Sequence, residues 1–114
     1  MIIGLPKETY PGETRVALLP QEVNKICSKK ISLNIQEDIG KGSYISNQLY
    51  IDSGANIIND IYKSSNLIIQ INPPKIEEIE SYKEGTCLIS LINPFINHDL
   101  VKKLAKKQIT TFCL

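Results

Sequence analysis

Six short apolar runs of strand length, separated by segments whose apolar residues recur at spacings of three and four, constrain this chain more than any other feature. The runs are Ile2 to Leu5, Ile31 to Ile35, Ala55 to Ile58, Leu67 to Ile71, Thr86 to Ile92 and Ile109 to Leu114. Parallel strands need long crossover connections, and helices supply them. The alternation therefore predicts an α/β domain with a mainly parallel sheet covered on both faces. Right-handed crossovers make it a three-layer, Rossmann- or flavodoxin-like arrangement.

The connecting segments carry helix punctuation. Pro20 opens a helix, because its fixed φ suits the first helical position and its missing N–H costs nothing there. Val23, Ile26 and Cys27 share a face behind it, Glu22 favours the positive start, and Lys29 and Lys30 follow the negative end. Ser46 and Gly54 read as the cap and the left-handed stop of a second helix, and Asp60 as the cap of a short third. Asn72-Pro73-Pro74 closes the fourth strand run. Beyond it Ile76, Ile79 and Tyr82 predict another helix face, ended by Gly85. Asn97 is the expected cap of the last helix, with Val101, Leu104 and Ala105 as its buried stripe and Lys102, Lys103, Lys106 and Lys107 as a solvated face.

A length of 114 residues suits one domain with a real core and is short for two. The 13 basic and 12 acidic residues nearly cancel, so a nucleic-acid partner is not expected. Cys27, Cys87 and Cys113 are widely spaced in apolar stretches and read as reduced core cysteines of a cytosolic protein. With no CxxC pair and a single histidine, His98, no metal site is expected. No apolar run approaches the roughly 18 residues of a membrane span, so direct membrane insertion is not expected either. The final run stops at Leu114 inside an apolar strand, which predicts that residues 1–114 are the leading part of something longer.

Candidate chemistry gathers where strands hand over to helices. Glu8, Glu13 and the only arginine, Arg15, lie in the loop after the first strand. The planar fork of Arg15 suits a carboxylate, so it either holds a carboxylate-bearing substrate or locks the loop through Glu8 or Glu13. Asn72 and Asn93 end two strong strands at the same edge of the sheet; an Asn before Pro also reads simply as a strand stop. Gly40-Lys41-Gly42-Ser43 lacks the P-loop spacing and reads as a tight turn. His98 reads as a surface group, and no nucleophilic triad is arranged.

The ordered motifs resemble a known family. Ile3-Gly4-Leu5-Pro6-Lys7-Glu8, Gly12-Glu13-Thr14-Arg15-Val16-Ala17 and Leu19-Pro20 are similar to the N-terminal signature shared by alanine dehydrogenases and the nucleotide-binding α subunit of proton-translocating NAD(P) transhydrogenases. The similarity continues through Glu37 to Ser43, Ser53-Gly54-Ala55, Leu67 to Pro74, Gly85-Thr86 and Ile109 to Phe112.

Alanine dehydrogenases carry a substrate-binding lysine and a catalytic histidine near the ends of the strands matching Leu67 to Asn72 and Leu88 to Asn93; here Asn72 and Asn93 stand there. Arg15 corresponds to their keto-acid arginine. The transhydrogenase branch lacks the lysine and histidine, so the resemblance implies that branch, with Arg15 bracing a cleft wall. It further implies NAD(H) bound by the full-length subunit, NADP(H) on a partner subunit, and no cofactor bound tightly by this chain alone. The implied partners are a second α subunit, forming a homodimer, together with NADP-binding and membrane subunits. The implied location is cytoplasmic, peripheral to the inner membrane. A mobile nicotinamide-contacting segment and a glycine-rich NAD-binding Rossmann domain are expected after Leu114. An amino-acid dehydrogenase fragment and a non-catalytic, stand-alone interaction domain are the alternatives.

Overall fold

A computed structural model describes residues 1–114, and in it all six strand runs pair in parallel. The strands are β1 (Ile2–Leu5), β2 (Ser32–Ile35), β3 (Asn56–Ile57), β4 (Leu67–Ile69), β5 (Cys87–Ser90) and β6 (Thr110–Cys113). The helices are α1 (Pro20–Cys27), α2 (Asn47–Asp52), α3 (Ile61–Ser64) and α4 (His98–Lys106), with 3-10 turns at Lys41–Ser43 and Ile76–Ser81. The sheet order is β3-β2-β1-β4-β5-β6. The chain winds outward from β1 to β3, returns, and winds outward again from β4. That reversal makes the space beyond the carboxyl ends of β1 and β4 a topological switch point, where open α/β sheets form a crevice.

The register sorts side chains into two cores. Ile3 pairs with Leu33 and Leu67, and this row faces α1 and α2, where it joins Leu5, Ile35, Val23 and Tyr50. Gly4 pairs with Ile68, and Ile68 with Leu88, on the opposite face. There Ile68 and Leu88 pack with Ile79, Tyr82, Leu100 and Leu104. Gly4 belongs to this second face for a steric reason. A Cβ on it would lie 2.2 Å from Ser65 Oγ and 3.1 Å from Ile61 Cγ1, so glycine lets α3 lie on the strand. Helices on both faces of a parallel sheet give the expected three-layer α/β fold.

Local chemistry explains the ends of the elements. Pro20 starts α1, with Glu22 in its first turn. Ser46 Oγ accepts from the Leu49 N–H at 3.3 Å at the start of α2. At the far end Gly54, with φ +108°, lets its own N–H and that of Ala55 reach the Ile51 and Tyr50 carbonyls, the double closure of a Schellman stop.

Several local expectations are corrected. Ile76–Ser81 is a 3-10 turn rather than an α-helix, and the spacing of three between Ile76, Ile79 and Tyr82 is the 3-10 period itself. It ends before Gly85. Asp60 and Asn97 stand before α3 and α4 without capping through their side chains. The buried stripe of α4 is Leu100 and Leu104; Val101 and Ala105 are exposed, because the helix is rotated about one position from the expected face. The cysteines are free but not core residues. Cys27 and Cys87 are half-buried and Cys113 is exposed, since β6 has a neighbour on one side only.

Candidate functional site

The loop from Pro6 to Leu19 has no regular secondary structure, so its polar groups must find partners individually. They do so across the switch point. The Lys7 N–H donates to Gln36 Oε1 at 2.6 Å, tying the loop to the end of β2. Glu8 reaches the other way: Oε2 accepts from the Ile71 N–H at 2.7 Å, and Oε1 from the Asn72 N–H at 3.0 Å and Asn72 Nδ2 at 3.4 Å. The chain then reverses at Pro11 and Gly12, where Gly12 takes φ +81° and the Glu13 N–H closes on the Tyr10 carbonyl at 3.0 Å.

This reversal points Glu13 back into the crevice. Glu13 Oε2 accepts from the Arg15 N–H and Nε at 2.9 and 3.0 Å, and Oε1 from Arg15 Nη2 at 2.7 Å. Asn72 Nδ2 donates to the same Oε1 at 2.9 Å. Asn72 thus bridges Glu8 and Glu13, and the two carboxylates cross-link the ends of β1 and β4. The Glu13 side chain is 7% exposed and that of Arg15 65%. Hydrogen bonds from the Arg15 side chain and backbone, then from Asn72, hold the Glu13 carboxyl down to about 2. Glu13 in turn raises the guanidinium's hold on its proton. Tyr10, Pro11, Gly12, Glu13, Thr14, Arg15 and Asn72 line an open depression of about 370 Å³.

A second ring supports the loop beyond β4. Gln70 Nε2 donates to the Asn72 carbonyl at 2.8 Å, and Tyr82 donates its hydroxyl to Gln70 Oε1 at 3.2 Å. The Tyr82 ring stacks on Tyr62 at 5.0 Å between centroids, and the Tyr62 hydroxyl faces Glu78 Oε2 at 3.4 Å. Burial pushes both phenols above their ordinary range, so they act as neutral donors. Ser90 Oγ closes the ring on the Ile71 and Asn72 carbonyls at 3.2 and 3.0 Å.

The sequence places Glu8 in this loop and leaves Arg15 open between a ligand carboxylate, Glu8 and Glu13, of which the structure pairs it with Glu13; it does not point to Gln70, Tyr82, Tyr62 or Ser90. The available signal was polar: Gln70 stands among apolar neighbours in a strand run, where an unpaired amide would be costly.

Arg15 and Asn72 therefore share one cluster, while Asn93 stands apart from it. Its Oδ1 accepts from the Phe95 N–H at 3.1 Å, and its carbonyl accepts from the N–H and Nδ2 of Asn97 at 3.1 and 3.0 Å. Asn93 is a strand stop that builds the turn into α4. His98 is exposed beside Lys75 and Asp99, around a depression of about 500 Å³. The turn Gly40 to Ser43 is a brace, since Ser43 Oγ donates to the Thr14 carbonyl and a Cβ on Gly42 would sit 3.1 Å from Thr14 Cα. Lys103 pairs with the Glu80 carboxylate, and Lys107 Nζ donates to the Glu80 carbonyl at 2.8 Å. No three His, Cys, Asp or Glu side chains gather as a metal-binding group, and no helix is long and apolar enough to cross a membrane.

The family model described as "Alanine dehydrogenase/PNT, N-terminal domain" matches residues 4–114. The chain belongs to this family. An NAD(P) transhydrogenase subunit alpha of Haemophilus influenzae is 34% identical over 116 residues, covering 100% of this chain and 22% of the relative. An alanine dehydrogenase of Methanococcus maripaludis is 32% identical over 113 residues, covering 96% of this chain and 30% of the relative. The crystal structure of a transhydrogenase from Sinorhizobium meliloti superposes with a TM-score of 0.94 at 29% identity, over 99% of this chain and 34% of that one. The chain thus spans between about a fifth and a third of these relatives. The cluster around Asn72 lies within the residues matched by the alanine dehydrogenase/PNT N-terminal domain.

Proposed function

We propose that this chain forms one wall of the NAD(H) cleft in the α subunit of a proton-translocating NAD(P) transhydrogenase. In the complete assembly hydride would pass from NADH to NADP(H) held on a partner subunit, coupled to proton movement through membrane subunits. The α subunit would act as a homodimer, cytoplasmic and peripheral to the inner membrane.

The observation that carries this reading is the occupation of Asn72. Where the dehydrogenase branch has a lysine, this chain has an amide bound to both Glu8 and Glu13. Asn93, at the histidine position, is folded into its own turn. Polarising and protonating a 2-oxo acid requires an acid or cation at those places, and the amides supply neither.

The chain's residues do not by themselves fit a whole dinucleotide. A pyrophosphate needs converging N–H donors at a glycine-rich helix start. Here α1 begins with Leu19 and Pro20 and carries Glu22 in its first turn. The phosphate-holding residues belong to the longer protein, and the role left to residues 1–114 is to shape and exclude water from one side of the cleft.

Calorimetry tests the assignment. A protein extended to the relatives' length gives heat with NADH, and the 114-residue chain gives none; micromolar binding by the short chain overturns the wall assignment. The similarity to alanine dehydrogenases supports a second reading, an amino-acid dehydrogenase. Reductive amination of pyruvate by the extended protein would establish that one and remove the first.

A further inference from the structure

The two edges of the sheet are finished differently. β3 has only Asn56 and Ile57, and a strand that short offers little to pair with. β6 keeps unbroken register with β5 over Thr110–Cys113 and carries no charge, proline or bulge, the features that ordinarily keep an edge from pairing. The Thr110 and Leu114 N–H groups donate to the Thr86 and Ser90 carbonyls at 3.1 and 3.0 Å. Backbone groups alternate sides along a strand, so the N–H and C=O of Thr111 and Cys113 point outward, where no further strand meets them.

Both flanks of this edge are apolar. On the face that carries α1 and α2, the row Ile69, Ile89, Phe112 runs out from under those helices: the first two are half-buried and Phe112 is exposed. Leu91 and Leu114 follow on the same face and are exposed as well. At the opposite end of the sheet the α3 face shows exposed Ser32 and Asn56, the polar finish of a surface that meets water. On the α4 face the helix has two unlike flanks. Lys103 and Lys107 hold the one toward Glu80, whereas the exposed Val101 and Ala105 join Thr111 and Cys113 in lining an apolar groove of about 230 Å³.

We propose that β6 pairs with the β6 of a second copy of this chain, antiparallel about a two-fold axis at Phe112. An edge whose flanks carry no charge has nothing that selects an oppositely charged partner, and apolar flanks are complementary to themselves, as a two-fold contact requires. In this register Thr111 of each copy lies opposite Cys113 of the other and the two exchange both backbone bonds. Four hydrogen bonds then satisfy every outward group of both strands. The two Phe112 residues face each other as the closer, non-hydrogen-bonded pair. On the other face α4 packs on Leu88 and borders Thr111, so strands about 4.8 Å apart bring the two α4 helices to about 10 Å, an ordinary packing distance, with their Val101 and Ala105 stripes facing. The inference rests on the homodimer proposed above only by giving it a contact surface, and none of its residues belongs to the Asn72 cluster.

Sedimentation equilibrium of the 114-residue chain tests the contact. Between about 10 μM and about 1 mM the mass is expected to pass reversibly from one chain to two. Dilute samples hold the single chain with its free edge, so stability measured there is that of the single chain. In the concentrated sample hydrogen exchange at the Thr111 and Cys113 amides should slow at least about tenfold relative to the dilute one. A chain that stays single at about 1 mM overturns the inference, as does a dimer whose Thr111 and Cys113 amides exchange as fast as in the dilute sample. Phe112→Lys sets two like charges directly opposite each other and should weaken the dimer at least about tenfold. Unchanged dimerisation of that variant, with a well-dispersed spectrum, overturns the inference too. Should it not fold, Ala105→Lys is read in the same way, since position 105 is an exposed helix site on the same contact. NADH binding by the extended protein is scored separately: a single chain here leaves the cleft-wall assignment standing, and loss of NADH binding leaves the edge contact standing.

Discussion

The corner between β1 and β4 and the free edge at β6 are both margins of one parallel sheet, and they are finished by opposite means. At the corner an irregular loop is held by polar groups whose partners come from distant parts of the chain: Glu8 with Ile71 and Asn72, Glu13 with Asn72, Lys7 with Gln36. At the edge β6 pairs with β5 alone, and its apolar side chains stay in water. Phe112 is 56% exposed and Leu114 75%, and Phe95 and Ile96 in the loop after β5 are also uncovered. Thr111 even buries its hydroxyl without a partner. Order at the corner comes from satisfied polar groups over a buried strand, whereas at the edge one ladder of backbone hydrogen bonds does the work.

Substitutions can break or sharpen this contrast, beginning with the strand beneath the corner. Leu5, 2% exposed at the end of β1, fills the α1–α2 core. Leu5→Ala should cost about 3 kcal/mol, read as a lower denaturant midpoint at unchanged slope. Gly4→Ala comes next, because its new methyl meets Ser65 and Ile61; about 2 kcal/mol is expected, and a neutral result would show that α3 can move aside.

Removing the cross-link itself should cost less than either. Glu8→Ala leaves the Ile71 and Asn72 N–H groups without their acceptor, at about 1 kcal/mol, and hydrogen exchange at those two amides should accelerate while the amides of β5 stay protected. Unchanged protection at Ile71 and Asn72 would mean that β4 is held without the corner.

The pH dependence has a definite sign. The Glu13 carboxyl sits at about 2 in the folded chain against an ordinary 4.5, so the unfolded chain binds more protons between those values. Its stabilising contribution is complete above about pH 4.5 and is lost as pH falls toward 2. Carboxyl NMR should place the midpoint near 2, and Glu13→Gln should flatten this part of the acid limb. A midpoint close to 4.5 would show that the Arg15 and Asn72 contacts do not persist in solution. The smallest effect belongs to the edge, where Phe112→Ser is expected to change stability by within about 0.5 kcal/mol. A loss as large as that of Leu5→Ala would show that β6 is covered in solution and would erase the contrast.

The readable parts of the molecule were those governed by near neighbours in sequence. Pro20, Ser46 and Gly54 act within one turn, so their chemistry is present in the local sequence. Of the expected α4 stripe Leu104 is buried, but several apolar residues compete for the second buried place, and only the docked helix selects Leu100 over Val101 and Ala105. In the candidate site, Arg15 with Glu13 is a contact two residues apart and was within reach. Glu8 with Ile71 and Asn72, or Tyr82 with Gln70, requires knowing that β1 and β4 are neighbours.

What the amino-acid order by itself determined is the alternation of buried strands with helices, and through it a parallel sheet with two covered faces. Backbone hydrogen bonding and the burial of periodic apolar residues leave a chain of this pattern few other solutions. What only the tertiary structure decided is the pairing at the switch point. The sheet order brings the end of β4 under the loop of β1, so that Asn72 lies between two carboxylates and Arg15 turns to Glu13. Asn72 lies 64 and 59 positions from those two carboxylates along the chain, and no local propensity specifies its contacts with them. They meet because packing of the apolar rows fixes the sheet order, and the loop's polar groups must satisfy one another in the space that this arrangement leaves.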